Sequence, residues 1–371
     1  MMFQFANVIL ADILMLKKVN YIPFLESCWQ EHLYHKEKKA PTVISLFAGG
    51  GGSSLGYSMA GFKELLAVEW DDNAVKTFKS NFPDIPIYHE DITGLSTEHV
   101  LEMTKIKKGE LDILDGSPPC QGFSTAGKRD FTDTRNQLFK EYARLLKDLK
   151  PKVFIMENVS GMVKGVMRLI FVDILKELKD CGYKVSVRLL NTMYFNVPQA
   201  RQRIIFIGIR KDLEIQPAFP TGESRPISVR EALANINNQE AELNFVNRIK
   251  TSTIFPRIEK MIEGSNYADY NPTGSGFTLS RIRGNKPCPT IQKTLNAPSS
   301  SDGLIHFKEN RKLTITEIKR LQSFPDDMHI HGTFQENWAV IGNSVPPLFM
   351  RSIALHVKNN ILNGNKECQN S

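Results

Sequence analysis

Along residues 42–210, short apolar runs alternate with longer stretches in which apolar residues recur every three or four positions. The runs predict buried strands and the longer stretches amphipathic helices. Val43, Ile44 and Leu46 predict a first strand. A turn over Gly49, Gly50, Gly51 and Gly52 follows, then a helix through Tyr57 and Met59, with Ser53 or Ser54 expected as its cap. Residues 65–68 and 85–88 predict two more strands, and Leu111, Ile113 and Leu114 a fourth that Gly116, Ser117, Pro118 and Pro119 end. Leu138, Tyr142, Leu145, Leu146 and Leu149 mark a helix that stops near Pro151. Residues 153–156, 184–190 and 203–209 read as strands, and residues 166–181 as a helix closed by Gly182. The alternation predicts an α/β fold, in which ligands bind at the carboxyl ends of the strands.

The texture changes over residues 212–308. Residues 264–298 are rich in Asn, Pro, Gly, Ser and Thr, which predicts a second, loop-rich domain that contacts a partner. Regular structure returns with a helix capped by Thr314 and Glu317, and a closing helix is expected over about residues 348–357. The expected division is an N-terminal extension (1–39), a catalytic domain (40–211), a recognition domain (212–308) and a return to the catalytic domain (309–371). In the extension, Phe24, Leu25, Cys28, Trp29, His32 and Leu33 recur at helical spacing, and residues 36–39 read as a solvated linker.

Composition narrows the choice. The chain has 371 residues, 41% of them hydrophobic, enough for two domains or one elaborated one. A net charge of +7 permits nucleic-acid binding without proving it. The five cysteines are far apart and form no Cys-x-x-Cys, which argues against a zinc site and for a reducing, cytoplasmic compartment. Residues 1–16 are apolar but contain Asp12 and lack a basic start, so neither a signal peptide nor a membrane span is expected.

The candidate chemistry gathers at strand ends. Cys120 follows Pro118 and Pro119 just past the fourth strand, which suggests a rigidly held nucleophile, although a single loop cysteine is more often inert. Gly49, Gly51 and Gly52 let backbone approach a ligand, but Ser54 occupies the third place of a strict Gly-x-Gly-x-x-Gly, which counts against a dinucleotide enzyme. Glu69 lies 20 positions beyond Gly49, where such folds bind a ribose hydroxyl. Trp70 offers a flat face for adenine, and Asp91 can accept from an adenine amino group or merely cap a loop. The polar loop from Gln121 to Gln137, with Ser124 and Arg135, reads as a lid whose basic and hydroxyl groups suit phosphates. Glu157 is a second polar group delivered to a strand end. In an extended stretch Gln199, Arg201 and Arg203 share one face, suited to carbonyl or phosphate oxygens, with a solvated charge run as the plain alternative. In the recognition segment Arg281, Arg283 and Lys286 are expected to reach phosphates or guanine edges.

Taken in order, these pieces resemble the DNA (cytosine-5)-methyltransferases over roughly residues 42–357. Residues 45–52 are similar to the family's S-adenosyl-L-methionine loop, with Ser45 where many members carry aspartate. Residues 115–124 resemble its nucleophile motif, Glu157, Asn158 and Val159 its Glu-Asn-Val motif, and Gln199, Arg201 and Arg203 its Gln-x-Arg-x-Arg motif. Residues 311–326 and 342–345 resemble its last two motifs. The resemblance implies a Rossmann-like sheet with a smaller loop-rich target-recognition domain and double-stranded DNA in the cleft. It implies a covalent adduct of Cys120 with a flipped-out cytosine, helped by Pro119, Glu157, Arg201 and Arg203. It also places Phe47, Glu69, Trp70, Asp91, Ile92, Leu138 and Asn343 around the cofactor, and Gln121, Ser124, Arg135, Gln199, Arg281 and Arg283 against DNA. A monomer is expected, with a cognate restriction endonuclease as a conceivable companion. The transfer-RNA branch of the family typically carries Cys-Phe-Thr; here Gly276-Phe-Thr is the nearest string, which favours duplex DNA. Two further rivals are a non-catalytic DNA-binding relative and a nicotinamide dehydrogenase.

Overall fold

Seven strands form one sheet in the order Ile87–Tyr88, Lys63–Val68, Thr42–Leu46, Ile113–Gly116, Val153–Val159, Gln202–Arg210 and Tyr183–Asn191. In the computed structural model the described residues are 16–34, 39–119, 134–163, 165, 167–274, 278–297 and 299–363, with 134–136 as backbone only. Helix α1 (Tyr21–Tyr34) precedes β1 (Thr42–Leu46), α2 (Gly52–Met59), β2 (Lys63–Val68), α3 (Asp72–Asn81), β3 (Ile87–Tyr88), α4 (Thr97–Thr104) and β4 (Ile113–Gly116). Then come α5 (Thr134–Leu149), β5 (Val153–Val159), α6 (Met167–Asp180), β6 (Tyr183–Asn191), β7 (Gln199–Ala200) and β8 (Gln202–Arg210). The strands from β3 to β5 are parallel, and β8 runs antiparallel between β5 and β6. This is the α/β fold expected from the pattern, with the Rossmann-like sheet that the resemblance implies.

Alternation along the strands builds two apolar layers. Val43, Ile113, Val153, Ile155 and Ile207 face α1, α2 and the C-terminal helices. Ile44, Leu46, Leu114, Phe154 and Met156 face α4, α5 and α6. The extension takes part: Leu25, Cys28 and Trp29 of α1 are buried in the first layer.

Residues 212–308 hold only short elements: α7 (Val229–Ala232), α8 (Glu240–Val246), α9 (Phe255–Ile258), β9 (Leu279–Arg281), β10 (Cys288–Pro289) and β11 (Gly303–Ile305). They keep a small core of their own around Ile249, Ile258, Tyr267, Leu279 and Ile305. Strand β10 pairs with β7, which ties this segment to the sheet domain. The chain then forms α10 (Ile315–Leu321), α11 (Phe334–Asn343) and α12 (Pro347–Val357). Thr314 and Glu317 form the expected capping box of α10. Glu317 also takes both ends of the buried Arg311 fork, at 2.7 and 2.9 Å, a bidentate arrangement that is strong and directional.

Several details differ from the sequence pattern. Helix α2 is capped by neither Ser53 nor Ser54. It starts at Gly52 behind Gly51, whose φ of 91° is a left-handed conformation that glycine adopts without strain. The Ser54 hydroxyl donates instead to Glu64. Helix α5 begins at Thr134, so residues 134–137 are helical rather than loop. Strand β5 runs on to Val159, so Glu157 is inside the ladder opposite Ile205, not beyond its end. Helix α11 was not anticipated, although Thr333 and Glu336 form a capping box that marks its start.

Helix α12 lies directly on α2. A Cβ at Gly56 would sit 2.6 Å from the Pro347 carbonyl, 2.6 Å from Met350 Cβ and 2.9 Å from the Arg351 nitrogen. Gly56→Ala should therefore destabilise the protein by about 1–3 kcal/mol, the usual range for overpacking. A lower urea midpoint at unchanged slope is the expected result, and an unchanged midpoint would contradict the close contact.

Candidate active site

Strand order reverses between β1 and β4, so the carboxyl ends of these two strands bound an open crevice. Leu46 lies beside Gly116 in register. Phe47 leaves β1 with a φ of 58°, and Gly49 follows at 55°. A Cβ at Gly49 would meet nothing within 4 Å, whereas one at Gly51 would strike the Phe82 ring at 2.4 Å and one at Gly52 the Val345 carbonyl at 2.4 Å. The loop is thus open on one side and held tightly on the other.

Glu69 closes this loop from the end of β2. One carboxylate oxygen accepts from Gly49 N at 2.8 Å, and the other from Trp70 N at 2.9 Å and Asp71 N at 3.0 Å. The oxygen that accepts from Gly49 keeps one further acceptor site. Trp70 is 74% exposed, so its indole face is open rather than part of the core. At the end of β3, Asp91 accepts from Thr93 N at 2.9 Å and so does cap a turn. Ile92 is buried, with Phe47 and Leu138 packed against the same apolar layer. Asn343 is exposed at the end of α11. An acid, an uncovered indole and open glycine backbone at adjacent strand ends fit a nucleoside-bearing cofactor.

On the other side of the crevice, Glu157 and Arg203 lie on one face of neighbouring antiparallel strands. Their ion pair is 2.7 Å long, with both side chains almost wholly buried. Arg203 also donates to the Gln202 carbonyl at 2.8 Å. The next side chain, Asn158, points to the opposite face and donates to the Pro118 carbonyl at 3.0 Å. Asn158 thereby ties β5 to the segment that carries Pro119. The alternation beside Glu157 was the available signal for this link, and it was not used. Cys120, Gln121 and Ser124 lie outside the described residues, as does the Arg135 side chain on α5.

The arginine motif divides its labour. Arg201 is buried and donates to the carbonyls of Ile291 and Gly342, both at 3.0 Å. Burial and the like charge of Arg203 push its pKa down from the usual guanidinium value. Gln199 requires a correction. It is fully buried, donates to Gln322 and accepts from Ile291 N, so it does not face a nucleic-acid surface. Arg281 requires the same correction. Only 4% exposed, it donates to the carbonyls of His306 (2.9 Å), Glu309 (3.1 Å) and Ile258 (3.0 Å). These carbonyls and the Asn310 side chain engage both terminal nitrogens of its guanidinium. Arg283 and Lys286 are exposed, with the Arg283 guanidinium lying over Gly264.

Sheet order and site together define the Rossmann-like methyltransferase class, whose methyl donor is S-adenosyl-L-methionine. The family profile described as C-5 cytosine-specific DNA methylase matches residues 41–359. The chain is 36% identical over 324 residues to the Type II methyltransferase M1.HphI of Haemophilus parahaemolyticus, covering 84% of this chain and 85% of that one. It is 33% identical over 370 residues to the Type II methyltransferase M.DdeI of Desulfomicrobium norvegicum, covering 84% and 87%. Among solved structures, a candidate DNA modification methyltransferase encoded within a prophage of E. coli superposes with a TM-score of 0.69 at 26% identity, over 87% of this chain and 100% of that one. The chain belongs to the C-5 cytosine-specific DNA methylases and is a DNA (cytosine-5)-methyltransferase. Among the described residues no helix is long and apolar enough to cross a membrane, and no cluster of His, Cys, Asp and Glu could hold a metal ion.

The two recognition-segment arginines should behave differently. Arg281→Ala removes hydrogen bonds to three carbonyls, those of His306 and Ile258 in buried surroundings, and should cost about 1–3 kcal/mol of stability or more. Arg283→Ala should leave the denaturation midpoint in place and weaken DNA binding. Equal midpoints for the two variants in urea titrations would contradict the division.

Proposed function

We propose that this enzyme methylates carbon 5 of a cytosine flipped out of one double-stranded DNA sequence, as a bacterial-type modification methylase. The observation that carries the reading is the buried Glu157–Arg203 pair, with Asn158 beside it holding Pro118 two residues before Cys120. A cytosine stacked in duplex could not reach such a recess, so the base must leave the stack.

Carbon 5 of cytosine is a poor nucleophile. Addition of the Cys120 thiolate to carbon 6 forms a carbon–sulfur bond and places electron density on carbon 5, which can then attack a methyl group; a base then removes the carbon 5 proton and the carbon–sulfur bond breaks, which restores the ring and releases Cys120. Glu157 holds or protonates ring nitrogen 3 as charge develops, and Arg203 polarises the ring carbonyl. Arg201 steadies the cluster from behind. Pro119 stiffens the approach to Cys120. When bound, S-adenosyl-L-methionine supplies the methyl group. Glu69 would take its ribose hydroxyls, Trp70 the adenine face and Asp91 the amino group. Phe47, Ile92 and Leu138 would form walls, Gly49, Gly51 and Gly52 a backbone floor, and Asn343 a polar edge. Gln121 and Ser124 would contact DNA from the segment after β4, and Arg135 from the start of α5. Residues 212–308 would read the target, with Arg283 and Lys286 as the exposed cations. A companion restriction endonuclease would act on the same site, and the protein would work in the cytoplasm as a monomer.

The deciding experiment incubates the purified enzyme and labelled S-adenosyl-L-methionine with duplex DNA or small RNA, then maps the modified base by bisulfite sequencing. One methylated DNA word is expected; label confined to RNA would overturn the reading. Cys120→Ala should abolish transfer while cofactor binding persists, and near-normal turnover would eliminate the covalent route. Trp70→Ala should weaken cofactor binding by about 1 kcal/mol, the order of an aromatic stacking contact; equal affinities by calorimetry would remove Trp70 from the site.

A further inference from the structure

Between α2 and the sheet lies a buried acid cluster that methyl transfer does not use directly. Asp115, the third residue of β4, accepts from the Tyr57 hydroxyl of α2 at 3.2 Å. Glu64 of β2 accepts from Ser54 of α2 at 3.0 Å. Both acids are at least nine-tenths buried. Glu64 Oε2 and the hydroxyl of Ser45, which lies beside Asp115 in register on β1, have no hydrogen-bond partner. Among the described residues neither acid makes an ion pair. The groups acting most strongly on Asp115 are Tyr57 and Ser53 of α2, Glu64 of β2 and Glu157 of β5, and none is a cation. The hydroxyls facing Glu64 are those of Ser54, which donates to it, and Ser45, which makes no hydrogen bond, and neither is a cation. Tyr142 of α5 faces the group from the other side of β4.

Two carboxylates cannot both ionise in such a place without uncompensated charge. The position is also sensitive. Helix α2 starts at the glycine loop, and β4 leads through Gly116 to Pro118 and Pro119. A Cβ at Gly116 would meet the Tyr142 ring at 2.8 Å and the Leu46 carbonyl at 3.3 Å, so the end of β4 has no slack.

We propose that Asp115 is a positioning residue for methyl transfer: with Glu64 it keeps a proton between α2 and β4, and so holds the cofactor loop and the nucleophile segment at a fixed spacing. The proposal rests on the reading of Cys120 as nucleophile. Burial pushes Asp115 up to about 8 and Glu64 up to about 7, against an ordinary carboxylate value near 4. Folded-state values above the unfolded ones mean that the stability contributed is fully present below about pH 4 and is lost as pH rises through these values. Full ionisation at alkaline pH pushes α2 from β4 and misaligns the two loops.

The test measures kcat and KM for S-adenosyl-L-methionine from pH 6.5 to 9.5 at constant ionic strength, together with melting temperatures, for the wild type, Asp115→Asn, Asp115→Ala, Glu64→Gln and Tyr57→Phe. The wild type should lose kcat by about tenfold per pH unit on an alkaline limb above pH 8, the behaviour of one lost proton, with KM nearly constant. Asp115→Asn and Glu64→Gln should raise or erase that limb and flatten the fall of melting temperature with pH. Asp115→Ala should lower kcat at pH 7.5, and Asp115→Asn should recover most of that loss. A wild type without an alkaline limb, variants that keep it unchanged, or equal kcat for Asp115→Ala and Asp115→Asn would overturn the proposal. Should Asp115→Ala fail to fold, Glu64→Gln and Tyr57→Phe decide by the same limb. Failure of the nucleophile reading is seen separately, as activity in Cys120→Ala.

Discussion

The reversal of strand order between β1 and β4 is the constraint from which the working parts follow. Crossovers between parallel strands are right-handed, so the chain leaving β1 must turn to one face of the sheet and the chain leaving β4 to the other. Helix α2 accordingly joins one apolar layer and α5 the other. Neither connection can cover the gap between the strand ends. The glycine loop and the Pro118 segment therefore emerge side by side, with backbone exposed on one flank. Their spacing is set by main chain rather than by adjustable side chains, because Gly116 has room for no Cβ between Tyr142 and Leu46.

Such a gap needs a back wall, and the last part of the chain supplies it. Val340 of α11 lies where a Cβ on Gly50 would be, and the Val345 carbonyl where one on Gly52 would be. Gly342 in turn approaches the backbone of Gln292 too closely for any side chain. Arg201 fixes the same junction by bonding Ile291 and Gly342 at once. Sheet, recognition segment and C-terminal helices are thus locked at one place, directly behind the glycine loop. An arginine in this role acts on the substrate site by geometry, and its value lies in donors that saturate carbonyls other elements leave unpaired.

Strand and helix identities were legible because burial on two faces leaves unmistakable apolar runs, and the capping box at Thr314 announced α10 correctly. The positions of Glu69, Trp70 and Asp91 at adjacent strand ends were legible for the same reason. What the pattern could not show was where a polar side chain spends its hydrogen bonds. The alternation put Gln199, Arg201 and Arg203 on one face, yet the neighbours of that face, Gln322 and Ile291, lie about a hundred residues away in the chain. Arg281 looked like a ligand for phosphate because it stands among glycines, prolines and other cations. Those same loop-forming residues leave carbonyls without partners, and Arg281 collects them. Helix α11 escaped because few of its residues are buried, and its end coincides with a motif read for its chemistry rather than its period.

The fate of the cations also bears on how the protein can attract DNA. Arg201, Arg281 and Lys319 are buried against carbonyl oxygens, and Arg311 and Lys312 are buried against Glu317 and Asp302. Salt screens surface charges beyond about 10 Å, so the formal charge of +7 acts weakly on a distant duplex. Attraction then depends on exposed cations at short range, and Arg283 and Lys286 are exposed. Association governed by a few near contacts is steep in salt only in proportion to their number. The buried cations instead give residues 212–326 their shape, because each holds carbonyls or acids of separate short elements together.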